Sequence, residues 1–156
     1  MTPAPVGFEL VPIPSPVMSA VDASRGIPAP ASMNVTFATT VATIGAKDSH
    51  STTVPKGEVW EWIAWGGYNQ TAPASIFTEA IVQVLSGGGN SVAVAHDTSP
   101  APTTGGVAFN GGMLAQPMWC MPGDKLRVDV WHSQAVTAEQ TYGTFAYRRY
   151  AIRPRL

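Results

Sequence analysis

The chain has 156 residues, enough for one domain with a real core and too few for two of comfortable size. Charged residues make up 12% of it, where about 25% is typical, and Gly, Pro, Ser, Thr, Ala and Asn fill the difference, the palette of turns and short strands. A net charge of -1 gives copies of the chain little reason to repel one another, and a single cysteine, Cys120, excludes a disulfide framework.

The first residues, MTPAPVGFEL, have neither the basic start nor the continuous apolar run of a signal peptide, and no later stretch approaches a membrane span. No membrane association is expected. Seven of the 14 prolines fall before residue 33: Pro3, Pro5, Pro12, Pro14, Pro16, Pro28 and Pro30. Prolines at this spacing forbid a helix and pre-set extended backbone. Among them lie Phe8, Leu10, Val11 and Ile13, apolar residues that a solvated tail has little use for. Residues 1–33 therefore read as an extended Pro-rich arm that docks on another surface through these four side chains. A floppy terminus or linker is the competing reading.

From residue 34 to 156 strand signals come regularly. Residues 35–44 (VTFATTVATI) are rich in β-branched residues, and 51–54 lead into a Pro55-Lys56-Gly57 turn followed by 58–65. On that strand Trp60 and Trp62 share a face with Glu58, while Val59, Ile63 and Trp65 share the other with Glu61. Residues 80–86 and 91–96 flank Gly87-Gly88-Gly89-Asn90, a hairpin connection. Residues 97–112 form the longest irregular stretch of this part. Residues 113–121 hold Cys120 as a small buried hydrophobe in the apolar run Met118-Trp119-Cys120-Met121. After Pro122-Gly123-Asp124, residues 125–132 alternate, with Leu126, Val128 and Val130 inward and Lys125, Arg127, Asp129 and Trp131 outward. Residues 141–152 (TYGTFAYRRYAI) close the series. About eight short strands without an amphipathic helix predict an all-β fold, an antiparallel β-sandwich or jelly roll.

Both faces of 58–65 are apolar, so a second covering layer is expected from a neighbouring subunit, a docked arm or a ligand. Trp60 and Trp62 are therefore candidates for a subunit or shell contact, with burial in the core and a sugar platform as the other readings. Four of the nine basic residues cluster at the end, Arg148, Arg149, Arg153 and Arg155. The first three join the candidate contact set. Nucleic-acid binding is not expected, because no recognised module interleaves aromatic stacking residues with them. No catalytic residue stands out: Glu58 and Glu61 fall on opposite strand faces, and no GxSxG, P-loop or GxGxxG is present. His50, His96 and His132 are isolated, with no HxH or HExxH, so neither a metal nor a cofactor is expected.

Two phrases, TTVPKGEVWEWIAW and MPGDKLRVDVW, pair a strand with a PxG or PGD turn and a second strand. Across about residues 51–150 the chain resembles the small jelly-roll head decoration, or cement, proteins of tailed bacteriophages. That resemblance implies a non-enzymatic virion protein, made in the host cytoplasm, that sits on the capsid surface. It implies self-association, as a trimer over local three-fold positions, and bridging of neighbouring major capsid protein subunits. The alternative is a receptor-binding or tail-fibre domain that recognises host polysaccharide through Trp60, Trp62 and the 97–112 loop. A cupin-like metalloenzyme is a third reading, weakened by the absence of HxH ligands.

Overall fold

The computed structural model describes residues 7–13, 32–42, 47–72, 76–83, 90–99, 106–132 and 136–155. The elements among these residues are nine strands: β1 (Phe8–Pro12), β2 (Ser32–Ala42), β3 (Lys47–Thr53), β4 (Glu58–Ala72), β5 (Ile76–Gln83), β6 (Ser91–Ser99), β7 (Gly106–Cys120), β8 (Lys125–His132) and β9 (Val136–Pro154). The two turns flagged in the sequence are bonded to each other. Val54 N–H donates to Asp124 O and Gly123 N–H donates to Val54 O, each at 2.9 Å, so the PKG and PGD corners brace one end of the domain. Gly123 takes φ 92°, a conformation that favours glycine, and the Asp124 carboxylate accepts the Met121 N–H at 2.7 Å.

All pairings are antiparallel. One sheet runs β1-β9-β4-β7, with β2 also paired to β9, and the other runs β3-β8-β5-β6. From β2 onward the chain changes sheet at each connection except the β5–β6 hairpin. This alternation is the jelly roll expected from the sequence, and it places the long strands β4, β7 and β9 side by side.

The first strand gives the arm a specific place. Phe8 to Pro12 pair with Pro154 to Tyr150 of β9, and Ile13 N–H donates to Arg149 O at 2.9 Å. β2 then takes up the same edge of β9 from Ser32 opposite Tyr147. Thus β1 and β2 lie in line, and the chain leaves the β9 edge at Ile13 and rejoins it two β9 residues further along. Residues 14–31 lie outside the described residues.

The core between the sheets contains Val54, Trp60, Trp62, Trp65, Leu114, Cys120, Leu126, Val128, Val130, Phe145 and Tyr147. Strand alternation accounts for Leu126, Val128 and Val130, each 0% exposed. It fails at Trp65, expected on the face opposite Trp60. The register slips between Trp62 and Ala64, and this β-bulge shifts the parity so that Trp65 lies opposite Phe145 inside. It also fails in part at Asp129, which lies on the outer face of β8 yet is fully buried. Ser49 Oγ and Lys47 Nζ donate to its carboxylate at 2.7 and 3.1 Å, and Arg127 Nε lies 3.1 Å away. Of the irregular stretch expected over residues 97–112, the described residues 97–99 and 106–112 are strand, and 100–105 lie outside the described residues. The glycines that suggested a loop pair with glycine and tryptophan of β4: Gly111 with Gly66, and Gly112 with Trp65.

Candidate functional site

Trp60 and Trp62 are 4% and 0% exposed. The Trp60 ring stacks on Tyr147 with centroids 3.8 Å apart and planes within 4°, and its Nε1–H donates to Glu58 Oε2 at 2.7 Å. Trp62 Nε1–H donates to Ala64 O at 2.8 Å while its ring meets Phe145 at 6.1 Å. Both indoles are spent inside the domain, which corrects their assignment to a subunit or shell contact and removes the rings of the sugar platform built on them. The covering layer anticipated for this face of β4 is the second sheet of the same chain.

The basic residues are divided among different surfaces. Arg149 binds Glu58 through two parallel bonds, Nε to Oε2 at 2.8 Å and Nη2 to Oε1, at the rim of the core beside Trp60. This pairing holds the Glu58 carboxyl below its ordinary range, against the opposing effect of burial, and raises the Arg149 guanidinium. Arg148 instead donates to Glu61 Oε2 at 2.9 Å on the opposite face. Strand parity correctly separated Glu58 from Glu61, and each carries its own arginine. Arg153 is exposed and sits opposite Glu9 of β1. In β1, Phe8 is 40% exposed and Leu10 and Val11 are half-buried, as is Ile13 just past its end. These residues line the β9 edge and do not gather with the tryptophans.

Two surfaces escaped the sequence reading. The first is the outer face of β9-β4-β7, where Trp119, Glu61 and Arg148 lie in one row across three strands. Tyr150, one step along, brings its ring to 5.2 Å from Trp119 at 45°, and its hydroxyl donates to Glu61 Oε2 at 3.0 Å. Val59, opposite Tyr150 on β4, is 2% exposed under this cluster. Burial, then the Glu61 bond, raise the Tyr150 pKa, so the phenol is uncharged at neutral pH. The second is the flank where both sheets end. β6 and β7 are terminal strands, and between them runs a groove of about 340 Å³ lined by Val92, Val94, Leu114, Ala115, Gln116 and Met118. Val92 is 52% and Met113, beside Leu114 on β7, 76% exposed.

A polar chain links the sheets elsewhere. Thr141 Oγ1 donates to Asp48 Oδ2 at 2.8 Å, so its one proton is used and His50 Nε2 at 3.1 Å must be the donor to it. His50 is 3% exposed. Burial lowers its pKa despite the opposing fields of Asp48 and Asp129, and it is neutral at pH 7 with the proton on Nε2. Its folded pKa lies below the unfolded value of about 6.5, so its contribution to stability is complete above that pH and is lost as pH falls toward the folded value. Glu58 has the same sign but enters only below the ordinary carboxylate range. Stability to thermal unfolding is expected to fall in two stages on acidification, and His50→Gln should remove the first; an unchanged first stage in that variant would contradict the linkage. Among the described residues no group of three or more His, Cys, Asp or Glu is placed to hold a metal ion.

No family model and no curated protein matches this chain. Among solved structures, a chain of "Structure of infectious bursal disease virus Gx strain" is similar at TM-score 0.31 and 12% identity, over 81% of this chain and 33% of that one. The protein thus spans about a third of the length of the solved chain it matches.

Proposed function

We propose that this protein is a virion structural protein: a non-catalytic capsid decoration, or cement, protein that binds the outer head shell of a tailed phage and bridges neighbouring major capsid protein subunits. The observation that carries this reading is the β6–β7 flank. Its groove lining has no charged side chain, and Val92 and Met113 stand exposed beside it. Apolar side chains gathered at one edge of a chain with net charge -1 suit association with copies of itself and with a shell. Among the described residues β6 and β7 each pair with a strand on one side only, and Pro117 within β7 limits simple strand addition, so the flank favours side-chain docking.

The reading also draws on β1. It is tethered to β2 by residues 14–31, whose contour length of roughly 60 Å would let Phe8, Leu10, Val11 and Ile13 reach a neighbouring subunit. Many modest contacts of this kind add through avidity, and a trimer would supply three. No cofactor is required.

Shells lacking the protein, incubated with it, should rupture at a higher temperature, and Val92→Asp with Met113→Asp should abolish that protection while leaving the domain folded. Equal rupture temperatures with and without the wild-type protein would overturn the proposal.

A further inference from the structure

We propose that the outer face of the β9-β4-β7 sheet binds a neutral pyranose sugar, with Trp119 and Tyr150 as the stacking surface and the Glu61–Arg148 pair gripping adjacent ring hydroxyls. This site is distinct from the β6–β7 flank and does not depend on shell binding.

The chemistry follows from which atoms remain open. Arg148 Nη1–H and Tyr150 O–H both donate to Glu61 Oε2. Oε1 of Glu61 therefore remains an acceptor, and the Nε and Nη2 protons of Arg148 remain donors, with no protein partner among the described residues. An acceptor and a planar donor fork side by side match two neighbouring sugar hydroxyls, each of which both donates and accepts. The aromatic pair lies directly next to them, with centroids 5.2 Å apart, and both rings are partly exposed. A ring surface bordered by fixed polar groups is what orients a sugar. The core tryptophans Trp60 and Trp62 lack the exposure.

Charge selects the class of sugar. The guanidinium and the carboxylate cancel, and Tyr150 is uncharged, so the site offers no net charge to a uronate, sialate or phosphate. The pair is already made in the free protein, with side-chain exposures of 34% and 15%, so its geometry is set before a ligand arrives. A protein partner would also find Trp, Tyr and Arg on this face. The open donor and acceptor beside the rings favour hydroxyl groups over an apolar side chain.

The test is calorimetric titration of the full chain with cellohexaose, maltohexaose, mannohexaose and chitohexaose, with an oligogalacturonate as the charged control. Saturable binding is expected for at least one neutral oligosaccharide. Trp119→Ala and, separately, Arg148→Lys should each weaken it by about tenfold or more, since each removes part of a site built to pair with hydroxyls. Arg148→Lys keeps the charge facing Glu61, so the result stands even if Trp119→Ala fails to fold. Absence of saturable binding by all four neutral sugars at millimolar concentration would overturn the proposal, as would unchanged affinity in both variants. Loss of self-association or shell attachment in these variants, without any sugar binding by the wild type, would assign the face to a protein.

Discussion

Gly143→Ala is expected to destabilise the domain by about 3 kcal/mol or more, at or above the upper end of the usual cost of overpacking. A Cβ at this position would lie 2.3 Å from His50 Cβ and 2.8 Å from its Cγ. Carbon atoms prefer about 3.5 to 4.0 Å. The obstructing atom is the first of the His50 side chain, so no rotamer change clears it, and β3 must move away from β9. Such a shift would also stretch the bond from His50 to Thr141, a link between the two sheets. Denaturant unfolding of wild type and variant measures the effect. A second pair of variants isolates its cause: His50→Gly removes the offending Cβ and should make Gly143→Ala nearly neutral in that background, whereas His50→Ala keeps the Cβ and should not. Equal effects of Gly143→Ala in all three backgrounds would contradict this packing.

Trp62→Ala is expected to cost about 3 to 5 kcal/mol, a large share of the total stability of a domain this size. Trp62 is fully buried, its ring meets Phe145, and its indole N–H is bonded to Ala64 O. Truncation opens a cavity between the sheets and leaves that carbonyl beside the bulge without its donor. The variant should unfold at markedly lower denaturant, with Trp62→Phe intermediate. A Trp62→Ala protein as stable as wild type, altered only in its association, would return this residue to a subunit contact.

The sequence displayed the parts of the fold that depend on local periodicity and turn chemistry. PxG and PGD corners, β-branched runs and the alternation of residues 125–131 predict an antiparallel sandwich, and the jelly-roll topology agrees. Parity also separates Glu58 from Glu61 correctly, because both precede the bulge. Beyond Trp62 the bulge shifts every later position, and nothing in EWIAWGG announces it. The Gly-rich 97–112 stretch resembles a loop because glycine signals turns, yet Gly66 and Gly67 of β4 pair with Gly111 and Asn110 as ordinary strand partners. Arg148 and Arg149 look like a basic patch until β4 brings Glu61 and Glu58 alongside. The Trp119–Tyr150 surface was hidden for the same reason. The two residues share a face only through the register of an intervening strand, and in the sequence Trp119 is surrounded by apolar neighbours that suggest burial.

These surfaces make up a division of labour within one small sandwich. The Trp60, Trp62 and Trp65 side chains hold the sheets together, while the apolar flank and the β1 strand are the surfaces proposed for assembly. Co-sedimentation tests that proposal most directly: the purified protein is titrated onto mature tailed-phage shells that lack it, and onto immature shells as a comparison. The account predicts saturable binding at a fixed ratio per shell, with preference for the mature form. A folded protein that stays in the supernatant with both kinds of shell would contradict it.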